Sequence, residues 1–117
     1  ILKEKVKLLG YRKDVQDILP IFDLFFFPSI TEGQPNALIE AMIVGLPIVA
    51  SNIDPIKETT PVVLHKELID PLNINGFCER IEEYYLSQKK RKENNFSNWA
   101  EEKFNPKVLF NQFYNEL

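Results

Sequence analysis

Two carboxylates eight positions apart, Glu32 and Glu40, are the residues of this 117-residue chain whose types and spacing most suggest chemistry. Glu40 is the only charged side chain between residues 37 and 50, and it lies in a predicted helix, residues 37–44, that is apolar on nearly all sides. A buried carboxylate without partners costs several kcal/mol. Glu40 therefore needs a hydrogen-bond donor: the backbone N–H groups in the first turns of its own helix, another side chain, or a ligand hydroxyl.

The segment before this helix is a polar turn, residues 31–35, which follows an apolar strand ending at Pro28 and Ser29. A helix that begins beyond the carboxyl end of a strand presents free N–H groups and the positive end of its dipole, where phosphates bind in open α/β sheets. Gly33 allows a ligand to approach the backbone. Pro35 suits a first helical position and Asn36 suits a cap, and the sequence does not decide between them. Taken alone, Glu32 is a typical solvated loop residue and Asn36 a typical cap.

The elements that position these residues are those of an α/β fold with a parallel sheet, because short apolar runs alternate with helical patterns. Strands are expected at residues 6–9, 24–27, 47–50 and 62–64. Helices are expected at residues 14–22, shortened by Pro20, and 37–44, ended by Gly45, and from residue 74 onward as 74–86, 88–103 and 106–117. Three or four strands are fewer than a typical doubly wound sheet has. The first strands of the domain are therefore expected to be absent.

The composition is that of an ordinary globular domain, with 44% hydrophobic and 26% charged residues and a net charge of −3, which argues against a nucleic-acid partner. The one cysteine, Cys78, excludes an internal disulfide, and a buried position in a helix is expected for it. With a single His65 it leaves no zinc site. No apolar run approaches the ~18 residues of a membrane span, and no secretory signal opens the chain, so the cytoplasm is the expected location. The basic run at residues 89–92 is expected on a solvated face, with contact to anionic lipid as the alternative.

The acidic pair lies within the run E-G-Q-P-N-A-L-I-E-A-M, which resembles the E-x7-E motif of retaining GT-B glycosyltransferases of family four. K-L-L-G-Y-R-K-D-V, D-L-F-F-F-P-S and G-L-P-I-V-A-S-N resemble the segments around that motif, so the ordered set covers essentially the whole chain. The resemblance implies a single domain over residues 1–117: a partial Rossmann-like, GT-B C-terminal domain with a short parallel sheet and a helical C-terminal tail. The N-terminal acceptor domain is expected to be absent.

The resemblance also implies roles for individual residues. Glu32 would be the catalytic residue, facing the transferred sugar, and better suited to positioning and charge stabilisation than to nucleophilic attack. Glu40 would accept hydrogen bonds from the ribose hydroxyls, and the N–H groups at the helix start would hold the sugar and diphosphate. The implied donor-binding residues are Gly33, Gln34, Pro35, Asn36, Ala37, Leu38, Glu40 and Ser29, with Gly10, Tyr11 and Arg12 bordering the nucleobase.

The implied reaction is transfer of a hexosyl group from a UDP- or GDP-sugar to a hydroxyl acceptor with retained configuration, in the synthesis of a cell-surface polysaccharide such as capsule or lipopolysaccharide. No metal or other cofactor is expected. The acceptor would be a glycan or lipid-linked glycan bound through the N-terminal domain, with peripheral contact to the inner face of the membrane.

The chain departs from the family pattern in two places. The basic side chains that neutralise the diphosphate belong to the strands expected to be absent, so this chain alone is not expected to catalyse transfer. Ser51 and Asn52 stand where a glycine pair is common, which puts a ligand contact from that loop in doubt. A non-catalytic nucleotide-binding or partner module of the same fold is the alternative. A dinucleotide-binding Rossmann domain and a P-loop enzyme are disfavoured, because neither glycine motif occurs.

Overall fold

The computed structural model describes residues 4–87 and 96–104. The helices are α1 (Val15–Ile18), α2 (Asn36–Ile43), α3 (Asp54–Glu58), α4 (Ile74–Leu86) and α5 (Ser97–Phe104), with 3₁₀ helices at Leu19–Ile21 and Val62–Glu67; the strands are β1 (Phe25–Phe27) and β2 (Ile48–Ala50). Helices and a short parallel sheet thus make a mixed α/β structure. The predicted fold class is confirmed.

The sheet is built from two parallel strands, with Phe26 of β1 opposite Val49 of β2. On the side of β2 away from β1, the chain at Ile69 runs alongside the end of β2 and forms a parallel bridge with Ser51. There the N–H of Asn52 donates to the carbonyl of Ile69 at 2.7 Å. Parallel neighbours need a crossover connection, and α2 supplies it between β1 and β2. The carboxyl ends of both strands, and the loop that leads into α2, therefore lie at one edge of the sheet.

The crossover helix α2 is buried because almost every face of it is apolar. Gly45 ends it with a left-handed backbone (φ +85°), the conformation that glycine adopts without strain. One face packs on the sheet, and α5 covers another, where the hydroxyl of Ser97 donates to the carbonyl of Ile43. The main core cluster consists of Leu38, Met42, Ile48, Ala50, Ile56, Leu64 and Ala100. The start of α2 is thus held in place by buried contacts along its length.

The helix α4 has the predicted bounds of residues 74–86. Its cap is Asn73, whose side chain accepts a hydrogen bond from the N–H of Gly76 at 3.0 Å. Phe77 is buried against Val49 and Ile69. Cys78 is exposed, so the expectation of a buried cysteine was wrong. Phe77 takes the inward position, and the next residue, about 100° further around the helix, faces solvent.

Two predicted strands are also wrong. Residues 6–9 form no strand and are exposed. Residues 62–64 begin the 3₁₀ helix Val62–Glu67, in which Leu64 alone of the three is buried, and the sheet contact occurs later, at Ile69. A run of three or four apolar residues fits a helical turn as well as a strand when only one side chain enters the core.

The remaining predicted elements are confirmed with small shifts. The strands predicted at 24–27 and 47–50 each begin one residue later, and the helix predicted at 37–44 spans Asn36–Ile43. The helix predicted at 14–22 is short and irregular as expected, since Pro20 lies in the 3₁₀ helix that follows α1. Of the helix predicted at 88–103, the part from residue 97 is observed. Residues 88–95, which include the basic run, and the helix predicted at 106–117 lie outside the described residues.

Across residues 4–87 and 96–104, the helices are all too short or too polar to cross a membrane.

Candidate functional site

The loop after β1 holds the first glutamate. The hydroxyl of Ser29 donates a hydrogen bond to Oε1 of Glu32 at 2.8 Å, and both residues are half-buried. Within the described part of the chain, no group donates to Oε2 of Glu32. One oxygen of this carboxylate is therefore bound to the protein, and the other is available to a ligand.

The start of α2 differs from both possibilities that the sequence left open. Pro35 occupies the cap position and is buried, while Asn36 is the first helical residue and makes no side-chain cap hydrogen bond. The first hydrogen bond of helical type runs from the N–H of Ile39 to the carbonyl of Pro35 at 3.1 Å. Within the described ranges, no side chain therefore satisfies the N–H groups of the first turn.

Two backbone donors are left over at this helix end. The N–H of Asn36 donates to the carbonyl of Gln34 at 2.9 Å. The N–H groups of Ala37 and Leu38 have no acceptor in residues 4–87 or 96–104. Ala37 is exposed, whereas Leu38 is fully buried, so the N–H of Ala37 is the one that a ligand can reach directly. Free N–H groups at the positive end of a helix dipole attract anions, so the first turn of α2 can accept a phosphate.

Glu40, on the second turn of α2, is half-buried. Its carboxylate makes no hydrogen bond or ion pair with any described residue, including the N–H groups of its own helix. The helix-capping explanation for this glutamate therefore does not hold in the structure. What remains for the carboxylate is solvent or a ligand hydroxyl.

Gly33 and Gln34, between the two glutamates, are exposed. A Cβ atom built on Gly33 would meet no protein atom within 4 Å, so the space beside this part of the backbone is open. A ligand could therefore approach the backbone of the loop at Gly33 and Gln34.

The turn at residues 10–12 is a separate feature of the surface. Gly10 has a left-handed backbone (φ +68°), and Tyr11 is 91% exposed. Arg12 donates two hydrogen bonds to Asp14, at 2.8 and 2.7 Å, and these bonds hold the pKa of Asp14 below its ordinary value and raise the pKa of Arg12. Among the described residues, no hydrogen bond, ion pair or ring contact joins this turn to the Ser29 loop or to α2.

The structure therefore brings together Ser29, Glu32 and the first turn of α2, but makes no contact between them and residues 10–12. The sequence placed Ser29 beside the cleft and did not predict its bond to Glu32. The spacing S-x-x-E, which is that of a capping box, is the signal that could have suggested it. In the described ranges, no group of three or more His, Cys, Asp and Glu side chains is placed to hold a metal ion.

Comparison with known families supplies the identification. The family model described as glycosyl transferases group 1 matches residues 1–87 of the chain. The chain belongs to this family. The matched part of the chain includes every candidate site residue, from Gly10 to Glu40.

Bacterial proteins similar to this chain carry glycosyltransferase names. The Escherichia coli UDP-Gal:alpha-D-GlcNAc-diphosphoundecaprenol alpha-1,3-galactosyltransferase is 47% identical over 53 residues, which are 45% of this chain and 14% of that protein. The amylovoran biosynthesis glycosyltransferase AmsK of Erwinia amylovora is 42% identical over 65 residues, 49% of this chain and 16% of that protein. An uncharacterized glycosyltransferase of Haemophilus influenzae is 40% identical over 81 residues, 68% of this chain and 20% of that protein. The matches thus span a fifth or less of the length of these relatives.

Proposed function

We propose that this chain supplies the nucleotide-sugar-binding part of a retaining glycosyltransferase, which transfers a hexosyl group from a UDP- or GDP-sugar to a hydroxyl of a glycan or lipid-linked glycan in cell-surface polysaccharide synthesis. The observation that carries the proposal is the Glu32 carboxylate, held by Ser29 next to a helix start with free N–H groups. Two relatives support the reaction class by name, since one uses a UDP-sugar and the other acts in amylovoran synthesis.

The diphosphate is proposed to bind at the first turn of α2. The exposed N–H of Ala37 donates to its oxygens, and the helix dipole favours its negative charge. Gly33 leaves the approach open. Because the dipole supplies only part of a positive charge, cationic groups are also proposed to stabilise the leaving diphosphate.

The two glutamates are proposed to act on different parts of the donor. Glu32 accepts hydrogen bonds from hydroxyls of the transferred sugar and stabilises the positive charge of an oxocarbenium-like transition state. Glu40, which has no partner among the described residues, accepts from the ribose hydroxyls. The turn at residues 10–12 borders the nucleobase, mainly through its backbone.

Full activity is proposed to need more of the protein than this chain, which is small compared with its relatives. Transfer by residues 1–117 alone is therefore not expected. Acceptor recognition, and contact with the inner face of the membrane, are assigned to the rest of the protein.

Nucleotide binding to the full-length protein that contains this chain tests the proposal. UDP or GDP at about 100 times its dissociation constant should stabilise the protein by about 2.7 kcal/mol, measured as a rise in Tm, whereas uridine and guanosine, which lack phosphates, should have little effect. Equal Tm values with and without either nucleotide would contradict the proposal. Binding without sugar transfer to any acceptor would instead favour a non-catalytic nucleotide-binding module.

A further inference from the structure

We propose that Ser29 is a positioning residue, which holds the Glu32 carboxylate in the orientation that sugar transfer requires. The proposal rests on the function proposed above for Glu32. Its starting point is the hydrogen bond of 2.8 Å from the Ser29 hydroxyl to Oε1 of Glu32. No other described group donates to this carboxylate, so Ser29 is its one protein contact of this kind within those residues.

Ser29 itself is placed by the sheet. It lies two residues after Phe27, the last residue of β1, and the carbonyl of Phe27 accepts a hydrogen bond from the N–H of Ser51 at 3.2 Å. Ser51 is fully buried. Ser29 therefore lies at the start of the loop, two residues from a strand end that is bound to the buried Ser51, whereas Glu32 lies three residues further along the same irregular loop.

The hydrogen bond from Ser29 can therefore restrain a side chain that its own loop does not fix. A glutamate side chain has several rotatable bonds and, in a loop, no backbone regularity to restrict them. A hydroxyl that donates to a carboxylate makes a charge-assisted hydrogen bond, which is stronger than one between neutral groups. The bond restrains Oε1 and leaves Oε2 as the oxygen that can accept from the sugar.

Positioning and direct ligand binding by Ser29 predict different kinetics. If Ser29 acts through Glu32, its loss lowers the rate of transfer and leaves the affinity for the donor nearly unchanged, because the diphosphate is bound by α2. If the Ser29 hydroxyl binds the donor directly, its loss raises KM with little change in kcat.

The experiment compares variants of the full-length protein: Ser29→Ala, Ser29→Thr, Glu32→Gln and the double variant. Ser29→Ala should lower kcat about tenfold with an unchanged KM for the donor, since small displacements of a catalytic group are costly. Ser29→Thr, which keeps the hydroxyl, should recover most of the turnover. Adding Ser29→Ala to Glu32→Gln should cause no further loss, because residues that act as a unit are not additive. Thr31→Ala, which removes an exposed hydroxyl from the same loop, is the matched control and should leave turnover unchanged.

Several results would overturn the proposal. They are wild-type turnover in Ser29→Ala, a rise in KM at constant kcat, or a further tenfold loss in the double variant. If Ser29→Ala does not fold, Ser29→Cys has similar volume and a weak donor, and the same tenfold loss is expected from it. Failure of the underlying function is distinguishable, because it would show as wild-type turnover in Glu32→Gln, whatever Ser29→Ala does.

Discussion

The two parts of the candidate site are built in opposite ways. Glu32 lies in the loop between β1 and α2, and the start of α2 is anchored in the core by Pro35 and Leu38, which are fully buried. The turn at residues 10–12 is exposed, and one ion pair, between Arg12 and Asp14, is its only side-chain interaction among the described residues. Packing within this chain can fix the conformation of the first part, whereas the second part makes almost no contact with the core. The part proposed to bind the sugar and diphosphate is therefore held by the core of this chain, whereas the part proposed to border the nucleobase is not.

The largest expected difference between the two parts is in stability. Leu38→Ala should cost about 2–5 kcal/mol, because Leu38 is 0% exposed in the main core cluster. Leu8→Ala makes the same chemical change at a side chain that is 95% exposed, and should stay within about 0.5 kcal/mol. Urea unfolding of both variants measures the two effects. A large loss of stability in Leu8→Ala would contradict the expected difference, since it would mean that residues 4–10 are packed in the full-length protein.

The next largest effect is expected on turnover. Glu32→Gln removes the negative charge that is proposed to stabilise the transition state, and should lower kcat about a hundredfold while sparing nucleotide binding. Glu82→Gln removes a charge from an exposed position on α4 and should leave kcat unchanged. Steady-state kinetics with a UDP- or GDP-sugar provide the measurement. Wild-type turnover in Glu32→Gln would remove the role assigned to this residue.

A smaller effect is expected on binding. Glu40→Gln should weaken the proposed hydrogen bonds from the ribose hydroxyls and raise the Kd for the nucleotide about tenfold, which is roughly 1.4 kcal/mol. Titration calorimetry with UDP or GDP measures the change. The same titration with the 2′-deoxynucleotide tests whether the lost affinity depends on the 2′-hydroxyl. The 2′-deoxynucleotide should bind the wild-type protein more weakly than UDP or GDP does, and its affinity should fall less on Glu40→Gln. Equal losses for both nucleotides would show that Glu40 does not contact that hydroxyl.

The smallest effect is expected at the exposed turn. The pKa of Asp14 is lowered by its hydrogen bonds from Arg12, so the stability that they contribute is present above the ordinary pKa of Asp and is lost as the pH falls through the lower pKa of the folded state. Arg12→Gln should therefore destabilise slightly at pH 7 and not at all in strongly acidic solution. Because surface ion pairs contribute little, Tm should change only marginally. Lys13→Gln removes an equal charge beside it and should show no such pH dependence.

The sequence predicted the elements that have clear ends or strong periodicity. Pro28 closes β1, Gly45 ends α2 with a positive φ, and α4 combines an asparagine cap with an amphipathic pattern. The failures at residues 6–9 and 62–64 have a different cause. A strand exists through its hydrogen-bonded neighbour, and a short apolar run carries no information about whether that neighbour is present.

The candidate site was predictable to the extent that its residues are unusual in their context. Glu40 was conspicuous because it is charged within an apolar helix, and Gly33 because it precedes a helix start. The bond between Ser29 and Glu32 was not predicted, since it depends on the path of an irregular loop. The lack of a partner for Glu40 among the described residues was also beyond the sequence, which only required that some donor be found.

The backbone amides in the first turn of α2 report on the proposed binding of the diphosphate there. The full-length protein, labelled with ¹⁵N at alanine and leucine, is titrated with UDP or GDP and followed by NMR. The amide signals of Ala37 and Leu38 should shift on saturation, while that of Leu72, near the start of α4, should not. Saturable binding that leaves Ala37 and Leu38 unmoved would contradict the account, because the nucleotide would then lie elsewhere.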